Sequence, residues 1–318
     1  MVAPGMLQNQ SVKRWLGGLE PAWTLLEYDS FQALQDPPSP TTGPIRLATD
    51  LTEDELKESA VARNALVLLL AASAGAGLKT TSTGNLSRSV VAEMCNHFVW
   101  PEFDKAAAFE FNRVINEPDF LPLHFVRHVV QAATLLRRHR GHLKISSAGQ
   151  RLIEAPNFRV LQAVLFHVAF WRFDLGVLGR GLHNGWLQRD VGIILWCLSI
   201  SANDWQSSKR LSRLCTIPIN GVLDQQWDTA PYAMEAQILR PLLWFGLLDH
   251  KEEKDDTNHL TSLHLYRKTA LFDRFLSFDV RLEGANAPRQ KKGLISAGQM
   301  HAGIGRYLQW QQCQATVN

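Results

Sequence analysis

Apolar and polar positions along the chain switch repeatedly between the 3.6-residue period of a helix and the two-residue period of a strand. Residues 1–35 are a mixed segment in which Trp15, Trp23, Leu25 and Leu26 predict one or two helices packed on the body. The run DPPSPTTGP at 36–44 is a turn and linker signal. Asp50 or Thr52 can cap a helix, and Glu53, Asp54 and Glu55 suit the positive end of its dipole. That helix is expected to run to about Ala74 and to stop at Gly75 and Gly77. A short strand over 78–81, a turn at Thr83-Gly84-Asn85 and a helix over 86–98 follow. Beyond a connection holding Pro101 and Pro118, the pattern predicts a helix from Pro122 to about Leu136, with proline in its first turn. LLRRHRGHLKIS at 135–146 reads as a hairpin turning at Gly141, and 148–154 as a closing helix.

Helix, strand, helix, helix, hairpin is the element order of a winged helix-turn-helix domain. The second half repeats the plan more loosely. Helices are expected at 157–175, 189–202, 207–214 and 231–246, then two strands around the polar loop after Gly246, then a helix. The fold class this predicts is mainly α with small β wings, built as tandem winged helix-turn-helix-like domains. The expected division is 1–49 as an N-terminal extension and linker, 50–156 as a first winged-helix domain, and 157–280 as a second, helical or winged-helix-like one. Residues 281–318 are expected to hold a basic segment, which reads as flexible over 280–293, and a C-terminal helix over 294–312. GLKTTSTGNLSR at 77–88 and HLKISSAGQRL at 142–152 share Leu-Lys-x-Thr/Ser-x-x-Gly. A common local geometry explains that echo as well as a duplication does.

Composition narrows the class without naming a reaction. With 318 residues, 46% hydrophobic and 20% charged, the chain is a multi-domain globular protein, not a disordered, collagenous or disulfide-rich one. Cys95, Cys197, Cys215 and Cys313 include no CxxC pair, which fits free buried thiols in a reducing compartment. Residues 1–10 lack a basic region followed by an apolar stretch, so a cytoplasmic protein is expected. The apolar runs 65–72 and 191–202 are shorter than the roughly 20 residues of a membrane span, so no membrane partner is expected. Phe166, Phe170, Trp171, Phe173, Trp186, Trp196 and Trp205 have the near-helical spacing of core aromatics rather than of a base-stacking platform. Neither GxxxxGK[ST] nor GxSxG occurs, so no enzymatic activity and no cofactor are expected.

Charge placement is the informative signal. The chain carries +3 overall, yet 120–153 contains no Asp or Glu and holds Arg127, Arg137, Arg138, Arg140, Lys144 and Arg151. His124, Arg127, His128 and Gln131 follow i, i+3, i+4, i+7, a polar stripe on the helix before the hairpin. Arg and Gln can read guanine and adenine edges in a major groove, and a basic hairpin can grip phosphates. DNA is therefore the expected partner, with His124, Arg127, His128, Gln131, Arg137, Arg138, Arg140, Lys144 and Arg151 as the binding residues. The alternative is an adaptor that docks a protein through the middle region or the second wing, where His250–Asp256 sets two Lys against four acids. His124 and His128 also have a helical metal-pair spacing, but Phe125 stands where HExxH has Glu, and Cys95 and His97 are the nearest further donors; no metal is expected. Glu110, Glu117 and Asp119 could be imagined as a nuclease carboxylate set, although such acids usually cap helices and solvate loops.

GLKTTSTGNLSRSVVAEM and FEFNRVINEPDFLPLHFVRHVVQAATLLRRHRGHLKISSAGQRL carry a resemblance. Together they resemble a bacterial winged-helix family with an LKLTxxGNL(P/N)R strand–helix motif and a later NExDxxPLxxLR segment, associated with plasmid and transposon-passenger reading frames. The likeness covers about 60–155 well and 160–280 more vaguely. It implies a winged-helix fold and a mobile-element setting, and brings no catalytic residues. Ser87, where the family has Pro or Asn, and Ile145-Ser146, where it has Leu-Thr, are local departures.

Overall fold

A computed structural model describes residues 6–38, 43–103, 115–154, 157–183, 185–223, 225–254 and 262–283. Most of these residues are helical and the sheets are small, so the protein is mainly α. It divides into two compact units. The first takes residues 48–174 with 243–247; the second takes the described residues of 1–47, 175–242 and 248–318. Among the described residues no helix is long and apolar enough to cross a membrane.

The chain begins in the second unit with α1 (Gln10–Leu16), α2 (Tyr28–Ala33) and β1 (Ile45–Leu47). The first unit opens at Thr52, whose hydroxyl accepts from the Glu55 amide while the Glu55 carboxylate accepts from the Thr52 amide, a capping box. The helix expected over 50–74 is two helices, α3 (Glu53–Glu58) and α4 (Ala60–Ser73). Ser59 breaks the run: its backbone is extended and its hydroxyl accepts from the Ala62 amide, which starts a fresh helix. Next come β2 (Leu78–Lys79), α5 (Arg88–His97), α6 (Leu121–Ala132), β3 (Leu136–His139), β4 (His142–Ile145), α7 (Ser147–Ile153) and α8 (Leu161–Trp171). The sheet order is β2-β4-β3, antiparallel throughout.

Two glycine-bearing turns shape this sheet. Arg140 and Gly141 both have positive φ (46° and 74°), the requirement of a two-residue type I′ hairpin. The two echoing segments pair with each other, Leu78 against Leu143 and Lys79 against His142. Their glycines do different work. Gly84 sits at φ +85° in the turn before α5, whereas Gly149 lies inside α7, where a Cβ would come 2.5 Å from the Leu135 carbonyl oxygen.

The first unit continues past residue 156, where the sequence pattern placed its end, because α8 packs on α4 and α6. Phe166 and Phe170 meet the Phe245 ring at centroid distances of 5.3 and 5.9 Å, and Gln162 Nε2 donates to the Phe245 carbonyl at 2.9 Å. These contacts bring residues 243–247 into the first unit.

The second unit contains α9 (Val191–Ser201), β5 (Gln206–Ser207), α10 (Ser208–Cys215), α11 (Ala230–Met234), a π-helical turn over Glu235–Leu239, α12 (Arg240–Trp244, whose last residues count with the first unit), β6 (Leu248–Lys254), β7 (Ser262–Lys268), α13 (Ala270–Phe275) and β8 (Leu276–Phe278). Its sheet order, β5-β7-β6, repeats that of the first unit. The N-terminal segment belongs to this unit and is not a separate extension. β1 pairs with β8, Trp23 Nε1 donates to the Thr216 carbonyl at 3.0 Å, and the Glu27 amide donates to the Arg281 carbonyl at 2.9 Å. Residues 284–318, including the expected terminal helix, lie outside the described residues. The aromatic set divides: Phe166, Phe170, Trp171 and Phe173 fall in the first unit, Trp186, Trp196 and Trp205 in the second. Cys95, Cys197 and Cys215 are buried and form no disulfide, and burial raises the last two above the ordinary thiol range; Cys313 lies outside the described residues.

Candidate nucleic-acid interface

Strand alternation sorts the basic hairpin into two faces. Leu136, Arg138, Leu143 and Ile145 share one; Arg137, His139, His142 and Lys144 share the other. Leu136 and Leu143 are buried and anchor the sheet, while Arg137, Arg138, His139 and Arg140 are exposed. Arg137 stands directly opposite Lys144. Like charges at that position repel, so the hairpin gives up some stability to present them. Arg138 reaches back along its face until its guanidinium lies over Gly84, where a Cβ would come within 2.8 Å of it. Arg151, on α7, is also exposed.

The helical stripe does not behave as its spacing predicts. His124, His128 and Gln131 are half-buried, but Arg127 is only 2% exposed. Its Nε donates to Glu117 Oε1 at 2.6 Å, Nη1 donates to Gln131 Oε1 at 2.5 Å, and Nη2 lies 3.0 Å from His128 Nε2. A guanidinium has no acceptor atom, so His128 Nε2 must accept and the ring is neutral. Burial, reinforced by the Arg127 charge, pushes the His128 pKa down to about 4. Arg127 is thus an interior residue and not a base contact. On the helical wheel it shares a stripe with Leu123, Val126 and Val130, all buried, and that spacing was the readable sign of its inward direction.

Glu117 is the acid that holds this cluster, and sequence reasoning missed its role. It is fully buried. Oε1 takes Arg127 Nε and sits 3.2 Å from His124 Nδ1, while Oε2 accepts the Leu86 amide at 2.5 Å. Burial alone would raise its pKa; the His124 contact, the Leu86 amide and Arg127 outweigh that and hold it below the ordinary carboxylate value. The carboxylate therefore ties the turn before α5 to α6. Asn116 and Asp119 form a capping box beside it. Glu117 and Asp119, read as possible nuclease acids, are committed to these bonds, and Glu110 lies outside the described residues. The residues that carry the NExDxxPLxxLR likeness, Asn116, Glu117, Asp119 and Arg127, are those of this internal scaffold.

Glu117 also supplies the third donor beside His124 and His128; Cys95 is in the core and His97 is exposed. Arg127 already bonds Glu117 Oε1 and His128 Nε2 of that group, so a fixed cation competes with a metal ion for these donor atoms.

Residues 57–158 match the Y4jL N-terminal domain. The matched stretch lies within the first unit and contains the whole cluster and the basic hairpin. Over 112 residues, 35% of the chain, the protein is 29% identical to "Uncharacterized protein y4jL" of Sinorhizobium fredii (strain NBRC 101917 / NGR234). The match spans 50% of that relative. No solved structure matches the chain.

Proposed function

We propose that the first unit is a winged helix-turn-helix module that binds nucleic acid, most simply duplex DNA, and performs no reaction on it. The observation that carries this reading is the exposed cationic hairpin, unaccompanied by any acid from Phe120 to Ile153. The strand order β2-β4-β3, with α6 entering the hairpin, supports the winged-helix assignment. Arg137, Arg138, Arg140, Lys144 and Arg151 neutralise phosphates. His124, His128 and Gln131 are the α6 side chains left to meet the groove, and Arg127 positions them from inside. The second unit, with its matching strand order, is winged-helix-like too, but its hairpin lacks the cationic face and takes no part in nucleic-acid contact. A regulatory or mobile-element and defence role suits such a binder.

Neutralising roughly three to five phosphates gives a slope of about −3 to −4 in log K against log salt concentration. The triple variant Arg137/Arg138/Arg140→Ala is expected to bind duplex DNA more weakly with a slope nearer zero, measured by fluorescence anisotropy across a salt series. Wild-type affinity and slope in that variant refute the proposal. The second reading is an adaptor role, favoured by the second hairpin. There Asp249 pairs with Arg267 at 3.0 Å and Lys251 with Glu253 at 2.5 Å, leaving a neutralised surface suited to a protein partner. Partner capture that survives the triple variant, without a salt-sensitive DNA shift in wild type, selects that reading.

A further inference from the structure

Among the described residues two groups bring metal-type donor atoms within 4.8 Å of one another: Glu117, His124, His128, and His250, Glu252, His264. In the first, Arg127, a built-in cation, already bonds Glu117 and His128. The second is organised differently. It lies on β6–β7, where Glu252 stands opposite His264 and His250 opposite Tyr266. The two-residue strand period puts all four on one face.

His250 Nε2 lies 3.0 Å from His264 Nδ1, with the two rings only 11° from parallel. Glu252 Oε1 is 3.8 Å from the same His264 Nδ1. The His250 ring also rests against Tyr266, centroid to centroid 4.8 Å, which restricts its rotation. Two imidazole nitrogens so close share one proton. A tetrahedral ion with metal–nitrogen bonds of about 2.0–2.1 Å needs them about 3.3 Å apart. The histidines are part-buried and Glu252 is exposed, so a small rotation of His264 and Glu252 against the held His250 ring supplies that opening. Two imidazoles and one carboxylate are a borderline donor set that selects zinc, cobalt, nickel or copper over calcium or magnesium.

We propose that His250, His264 and Glu252 form a site for one divalent transition-metal ion on the β6–β7 hairpin. Water completes its coordination, and the ion clips the two strands together. The clip would hold a hairpin whose seven-residue strands are long for a three-stranded sheet carrying a two-residue third strand.

The full-length protein, stripped with a chelator, is titrated with Co²⁺ by visible absorbance and then with Zn²⁺ as competitor. Wild type is expected to take up one saturable equivalent that Zn²⁺ displaces. His250→Ala and His264→Ala are expected to abolish it, and Glu252→Gln to weaken it by at least about tenfold. His97→Ala, an exposed histidine on α5, is expected to match wild type. Far-UV circular dichroism of the metal-free variants checks folding, and His264→Gln replaces His264→Ala if the latter does not fold. Absence of saturable binding in wild type overturns the proposal. So does binding that persists in both hairpin variants and disappears in His124→Ala.

Discussion

The two hairpins close sheets of the same strand order, yet they treat charge in opposite ways. In β3–β4 the cations face one another across the strands, Arg137 against Lys144, with no acid on the hairpin. In β6–β7 each described cation of one face has a partner: Asp249 for Arg267, Glu253 for Lys251, and the Trp205 ring for both cations at 4.7 and 4.8 Å. One hairpin keeps its charge available and the other consumes it. The same contrast runs through the two His–Glu groups. An arginine from the chain bonds the first, and two imidazoles bridge one another in the second. Similar topology therefore does not imply similar partners; what each side chain is already bonded to decides what remains for a ligand.

The largest test of this contrast removes one acid from each unit. Glu117→Ala leaves Arg127 buried without its counter-charge and is expected to cost about 3–5 kcal/mol, read from urea denaturation. Asp249→Ala breaks an exposed pair and is expected to cost about 1 kcal/mol or less. Similar losses for the two variants would break the distinction between an internal scaffold and a surface pairing.

Acid provides the next test. The His128 pKa is about 4 in the folded protein and 6.5 for the ordinary group, so the unfolded chain binds the proton first. The stabilisation from keeping this ring neutral is complete above pH 6.5 and is lost as the pH falls to about 4. Glu117, whose pKa is depressed, adds a further loss as the pH drops below the ordinary carboxylate range. Stability of the protein followed by denaturant midpoint is expected to decline over this window, and His128→Gln is expected to flatten the upper part of the decline. An unchanged profile in His128→Gln contradicts the neutral-acceptor role.

The smallest effect sharpens the reading of the first hairpin. Lys144→Glu turns a cross-strand repulsion into an attraction and is expected to stabilise the protein by about 0.5 kcal/mol. It is expected at the same time to weaken DNA binding and reduce the salt slope by about 1. Gains in both stability and affinity would contradict phosphate contact at this site.

Much of the local order was legible in the chain. The hairpin over 135–146, turned at Gly141, has the expected form, because a glycine at φ 74° between two alternating runs is a strong local signal. The start of α6 was legible from Pro122, but not its end. The helix stops at Ala132 because Thr134, a β-branched residue, adopts φ 59°, a conformation normally signalled by glycine. Ser59 was hidden for a similar reason, since a serine between a charged stretch and an apolar one reads as tolerated within a single helix until its hydroxyl is seen capping Ala62. β1 was not legible at all. Its partner β8 is formed by residues 276–278, and no local pattern announces so distant a pairing. In the candidate interface, the exposure of the hairpin arginines was legible from charge alone. Arg127 was misplaced because polarity outweighed its position in a buried stripe, and Glu117 was missed because one of its partners, the Leu86 amide, lies 31 residues away along the chain.

Residues 243–247 complete the first unit from beyond the start of the second. During synthesis, Phe166 and Phe170 leave the ribosome several seconds before Phe245, at about 5–20 residues per second. For that interval two large rings lack the cover that Phe245 later provides. The unit that holds the cationic hairpin thus matures only after translation has passed through most of its neighbour. A stop codon anywhere between 175 and 242 would leave it with an open, adhesive core.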